Sequence, residues 1–268
     1  MKTLRLPFLS IYLVVYLVFL YAPILVIPLF SFNAAAAPTL PLSGFTLKWH
    51  EMVWGNAQMM RAALNSLIVG LSVSLLTTTL GVLAARALSR HRFPGQKAAS
   101  GLIMAPLFLP EIIVAVSLLT IILSLGFSAS LLAVILGHTV FCLPYAMSVL
   151  TAGFQNLDPS LEEASRDLGE TAFGTFRRVI LPVVSPAIVS SLLVSFTISF
   201  DEFILAFFLS GSEPTLPVYI WGQLRFAAKL PSVLALGSLI LVLSVALLAI
   251  AEILRKRAEE RLTAMGAP

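Results

Sequence analysis

Residues 62–87 read AALNSLIVGLSVSLLTTTLGVLAARA, and no formal charge appears until Arg86. A helix needs ~20 apolar residues to cross the hydrocarbon core of a bilayer, so this stretch is long enough to span one. Outward from it, comparable runs lie at about 8–32, 99–125, 130–152, 185–210 and 232–254. Six spans leave little chain over. The composition agrees: 59% of residues are hydrophobic and 11% charged, with a mean hydropathy of +0.98, too little polar surface for a protein dissolved in water. The expected fold is an all-α integral membrane protein, a single transmembrane domain over residues 1–268.

Lys2 and Arg5 precede the first run, which ends in Ala34 to Ala37, a pattern resembling a cleavable signal. The run is about twice the ~7–15 residues of a signal's apolar region, which favours a retained signal-anchor helix. Basic residues set the orientation, because Lys and Arg are enriched on the cytoplasmic side. With the N-terminus inside, the inner segments hold thirteen Lys and Arg, among them Arg86, Arg90, Arg166, Arg177, Arg178 and Arg255; the outer segments hold four, Lys48, Arg61, Arg225 and Lys229. Both termini are therefore expected in the cytoplasm, and the net charge of +4 reflects topology rather than nucleic-acid binding.

Cys142 is the one cysteine, so the chain cannot form an internal disulfide, and His50, His91 and His138 match no metal-ligand spacing. There is no Gly-rich phosphate loop, nucleophile elbow or H-E-x-x-H motif. No cofactor or metal site is expected in this chain, nor any enzymatic activity, and energy for transport must come from a partner or an ion gradient.

Three connecting segments are long. Residues 33–61 are rich in Ala and Pro, then aromatic (Phe45, Trp49, Trp54), which suits an interfacial segment with Trp at headgroup level. Residues 211–231 carry a short amphipathic helix after Pro217, including Tyr219 and Trp221. Residues 153–184 are the most informative. Asp158 is a good N-cap, Pro159 suits the first helical position, Glu162 and Glu163 favour the positive end of the helix dipole, and Gly169 supplies the stop. Leu161, Ala164, Ser165 and Leu168 recur at i, i+3, i+4 and i+7, a small-to-apolar stripe on a charged helix. Such a helix, held outside the membrane, suits insertion into a partner's groove. A second stripe, Phe173, Phe176 and Ile180, is expected to pack on the chain's own helix ends.

Glu163-Ala164, Gly169 and Ile180-Leu181-Pro182, between the fourth and fifth runs, resemble the EAA loop of bacterial binding-protein-dependent ABC importers, with Ser165 in place of the usual second alanine. Six spans with this loop before the fifth also resemble the MetI-like permease fold. The stretches Phe200-Asp201-Glu202-Phe203 and Thr215 to Trp221 look most like the second permease subunit of spermidine/putrescine importers. The resemblance implies a multi-pass permease in the bacterial inner membrane, forming a heterodimer with a second permease. Its further partners would be two copies of an ABC ATPase that bind ATP and Mg, and an extracytoplasmic solute-binding protein. Leu161, Glu162, Glu163, Ala164, Ser165, Leu168 and Gly169 would form the ATPase-coupling helix. The cargo would be a polyamine, or otherwise another amine-bearing or opine-like solute.

Ionisable residues inside a bilayer are costly and mark pathways or partners. Glu111 follows Pro110 and lies one turn beyond Pro106, where a kink is expected; Asp201 and Glu202 lie in the outer half of the fifth run. Two polar rows, Ser190/Thr197/Asp201 and Ser191/Ser195/Glu202, run side by side on that helix, which is expected to give it one broad polar face. Glu111, Asp201 and Glu202 are the candidate cation pathway, with Tyr219 and Trp221 as cation–π candidates at its outer mouth. Asn65, Ser66 and Thr77 to Thr79 are expected to bond between helices. A gradient-driven transporter is the competing class, disfavoured because the two halves show no repeat.

Overall fold

A computed structural model describes residues 5–35 and 39–246. The elements are α1 (Arg5–Ser31), α2 (Lys48–Gly55), α3 (Ala57–Arg90), α4 (Gln96–Met104) with a 3₁₀ turn (Ala105–Phe108), α5 (Glu111–Ser124), α6 (Leu131–Gln155), α7 (Pro159–Asp167), α8 (Ala172–Thr175), a π turn (Phe176–Ile180), α9 (Leu181–Asp201), α10 (Ile204–Leu209) and α11 (Leu216–Leu224). A last helix, α12, covers Ala227–Ala246. Five helices are long and apolar enough to cross a membrane, and a sixth span forms if Gln96–Phe108 and Glu111–Ser124 are one broken span. The expected all-helical membrane fold is thus present among the described residues. The remainder of the sixth span, and the basic residues Lys2 and Arg255, lie outside them.

The third run differs most from a straight span: its two halves meet at 112°. Leu109, held extended by the proline after it, has φ −96° and ψ 141°, and Pro110 has no N–H to continue the helix. The sequence predicts a kink here, and the observed angle is a sharp corner between two short helices. The fifth run is interrupted too, with α9 ending at Asp201 and α10 beginning at Ile204.

The described residues fall into two compact units, one drawn from 5–60 and 220–246 and the other 61–219. In the first, α1 leaves its apolar side chains uncovered from Leu9 to Leu25, as befits a helix whose solvent is hydrocarbon. Beyond it, the Asn33 side chain accepts from the Ser43 amide and hydroxyl at 3.1 Å each, while its carbonyl accepts from Trp49 Nε1 at 2.8 Å. Trp49 is therefore buried in a local brace, whereas Phe45 and Trp54 stand exposed. Burial holds the imidazole of His50, stacked on Phe32 at 4.7 Å, below its ordinary range of protonation.

In the second unit α6 and α9 form the central pair. Gly153 lies so close to Ala187 that a Cβ on it would sit 2.5 Å from the Ala187 Cβ. Two contacts one turn apart, His138 Nδ1 to Ser199 Oγ at 2.9 Å and Cys142 Sγ to the Ser195 carbonyl at 4.0 Å, fix the helices antiparallel. Thr78 and Ser191 share a hydrogen bond at 3.0 Å, Asn65 donates to the Pro214 carbonyl, and Ser66 accepts from the Leu216 amide. Asn65, Ser66 and Thr78 thus bond to other segments as expected, whereas Thr79 is exposed and returns its hydroxyl to the Leu75 carbonyl of its own helix, and the buried Thr77 hydroxyl meets no partner among the described residues. One apolar cluster centres on Phe141, Leu205 and Leu209, another on Leu150, Phe154 and Ile180.

Candidate functional site

Residues 156–180 fold as the sequence predicts locally. The Asp158 carboxylate accepts from the Ser160 amide at 2.9 Å. That bond, reinforced by the Ser160 hydroxyl and by Arg90, holds the carboxyl below the usual aspartate range. Gly169 ends α7 at φ +85°, a conformation that favours glycine. On the helix between, Leu161, Glu163, Ala164 and Leu168 are exposed, and Leu168 is 89% exposed.

Two of the residues expected to form the coupling helix turn away from its outer face, Ser165 of the stripe and Glu162 beside it. Ser165 turns inward and bonds Thr175 at 3.0 Å, and Glu162 turns toward α3. The outward apolar set is therefore Leu161, Ala164 and Leu168. The second stripe divides as well: Ile180 is fully buried and Phe176 half-buried, as expected, but Phe173 is 73% exposed. Phe173 is the second residue of the single turn α8, which Thr171 caps beside α7, and it is not part of the apolar cluster that holds Ile180.

At Glu162 the Arg86 and Arg166 guanidiniums each donate to Oε1, at 3.1 and 3.0 Å, and Arg90 Nε lies 4.0 Å from Oε2. Arg90 also donates to the Leu157 carbonyl at 2.8 Å, and the Arg86 guanidinium lies 4.9 Å over the Phe176 ring. Glu170 pairs separately with Arg178 at 2.8 Å.

Toward the far end of α9, about 30 Å away by the rise of its helix, the membrane acids occupy the two breaks. Glu111 is the first residue of α5, exposed at the 112° corner. Glu202 is 9% exposed and accepts from the Leu205 amide at 2.9 Å, so it caps α10 across the second break. Glu111, Glu202 and Tyr145 lie close enough to interact electrostatically. Asp201, the last residue of α9, is exposed. The two polar rows of α9 do not form one broad face. Ser191, Ser195 and Ser199 are buried together with Glu202. In the other row, Ser190 and Thr197 are exposed and return their hydroxyls to the Pro186 and Leu193 carbonyls. On α11, Tyr219 is buried and Trp221 is 49% exposed. The described residues hold no cluster of His, Cys, Asp and Glu that could bind a metal.

A bundle of apolar spans, two of them broken beside carboxylates, with a capped helix standing outside its packed core, defines a multi-pass membrane permease. Residues 77–260 match the family of binding-protein-dependent transport system inner membrane components, and the chain belongs to that family. It is 35% identical over 240 residues to the spermidine/putrescine transport system permease protein PotC of Haemophilus influenzae, covering 89% of this chain and 93% of the relative. It is 34% identical over 249 residues to the putrescine transport system permease protein PotI of Escherichia coli, covering 90% and 88%. The fold matches a bacterial ABC transporter involved in import of the polysaccharide alginate, with a TM-score of 0.75 at 17% identity over 96% of this chain and 98% of that one. The alginate transporter solved with a pentasaccharide-bound periplasmic protein gives 0.72 at 17%, over 95% and 94%. The chain is thus an inner-membrane permease component of an ABC transport system.

Proposed function

We propose that this chain forms half of the path by which a polyamine such as spermidine or putrescine enters the cell. The observation that carries the reading is the pair of neighbouring acids, Glu111 and Glu202, at the two helix breaks, in helices α5, α6, α9 and α10 that contain no Lys or Arg. A carboxylate with no cation on its own helices is costly in a bilayer and marks a pathway or a partner, and the relatives named for spermidine and putrescine support a cationic cargo. Asp201, and Tyr219 and Trp221 by cation–π contact, complete the proposed route. Most selectivity resides in an extracytoplasmic binding protein.

In this reading both termini are cytoplasmic, and the second permease is a different chain. Two copies of an ATPase bind ATP and Mg and receive α7 through Leu161, Glu163, Ala164 and Leu168, with Phe173 beside them. Closure of the ATPases moves α7, and the permease pair changes from inward-open to outward-open. ATP acts here as a remote ligand that biases a two-state element.

The test is ATP-driven uptake of labelled spermidine and putrescine by the reconstituted complex. Glu111→Gln should reduce uptake by at least about tenfold, an effect of ~1.4 kcal/mol, while the complex still assembles. Normal uptake and normal solute-stimulated ATP hydrolysis in that variant would remove Glu111 from the path. Uptake driven by an ion gradient without ATP would make the chain a secondary transporter.

A further inference from the structure

Helix α7 has nine residues, none of them buried, so apolar packing cannot hold it firmly to the bundle. Its attachments are polar. Ser165 bonds Thr175, within the same segment. Glu162 reaches the membrane helix α3, where Arg86 and Arg90 stand one turn apart with side chains 20% and 19% exposed.

Those two arginines grip the segment at three points: Arg90 holds the Leu157 carbonyl before α7, both approach Glu162 within it, and Arg86 covers Phe176 after it. The Glu162 side chain is 14% exposed, so the network is shielded from the water and salt that make surface pairs nearly worthless. Removing one member of a shielded network leaves its partners charged and uncompensated, which costs far more than an exposed pair contributes. Helix α3 is 34 residues long, about 50 Å at the rise of an α-helix. Its last turn is therefore continuous with a span long enough to cross the bilayer.

We infer that Glu162 is the positioning residue that couples α7 to α3, so that movement imposed on α7 is delivered into the second membrane helix as well as through the continuous chain into α9. This rests on the reading of α7 as the ATPase contact. Glu162 does not itself touch solute or nucleotide.

The experiment uses the complete complex in proteoliposomes, with spermidine as the probe, and reads uptake per ATP hydrolysed. Glu162→Leu should leave the ATPase bound and hydrolysing while uptake per ATP falls by about tenfold. Because Arg86 and Glu162 act as one tie, the Arg86→Leu/Glu162→Leu double variant should be no worse than the poorer single variant. Unchanged uptake per ATP in Glu162→Leu, or additive defects in the double variant, overturns the inference. If Glu162→Leu does not assemble, the isosteric Glu162→Gln decides: a lower ratio supports the tie and a wild-type ratio overturns it. A wild-type chain that neither retains an ATPase nor shows ATP-driven uptake would instead refute the ATPase reading.

Discussion

Glu162 and Glu202 are both largely withdrawn from solvent, and their surroundings differ in kind. Glu162 is surrounded by three guanidiniums, whereas Glu202 has a backbone amide and a neighbouring carboxylate. A shielded charge is tolerated when it is neutralised, and a neutralised charge makes a joint. A carboxylate left without a cation in the membrane part is suited to meet one in transit. One end of the unit is thus built to hold and the other to yield.

The contrast can be broken most forcefully at Gly169. Proline there cannot adopt φ +85° and lacks the N–H that donates to the Arg166 carbonyl at 2.9 Å. Gly169→Pro should cost the segment ~3 kcal/mol or more and release the ATPase while the spans stay folded, as read by co-purification and by the helical signal of the complex. Retention of the ATPase with normal coupling would mean that α7 is not the handle.

A smaller effect separates the two duties of Glu202. Glu202→Ala removes the acceptor that caps α10 and should lower stability by ~1 kcal/mol, seen as a lower melting temperature of the purified complex. Glu202→Gln keeps an acceptor oxygen and should melt near wild type, yet transport spermidine more slowly. Equal uptake by Gln and wild type would reduce Glu202 to a cap and leave Glu111 and Asp201 as the acids of the route.

The smallest effect concerns Asp158. Its folded carboxyl titrates below its unfolded value, so its contribution to α7 is present above the ordinary aspartate pKa of ~3.9 and is lost as the pH falls through the lower folded value. Hydrogen exchange at the Ser160 amide should therefore show constant protection between about pH 5 and 8 once corrected for intrinsic rates. A step in that window would assign the cap to another group.

Much of this was legible because the signals are local. Asp158, Pro159 and Gly169 bracket α7 within twelve residues of sequence, and Pro110 announces its own bend. What stayed hidden depends on distant partners. Arg86 and Arg90 precede Glu162 by 76 and 72 residues, no periodicity links them, and basic residues at the end of a span are already expected from topology. The break at Glu202 has neither Pro nor Gly beside it, and is held by a side-chain cap. The inward turn of Ser165 was invisible for the same reason, since a small residue on a stripe looks alike whether it faces a partner or its own chain.

The serines along the buried side of α9 bear on biogenesis. Each must leave the insertion machinery on a helix that carries its polar groups into lipid, and the cross-helix partners of two of them, Thr78 for Ser191 and His138 for Ser199, stand on α3 and α6. Both of those helices are synthesised first. The order of the chain therefore gives the most serine-laden span a prepared place in the bilayer at the moment it enters.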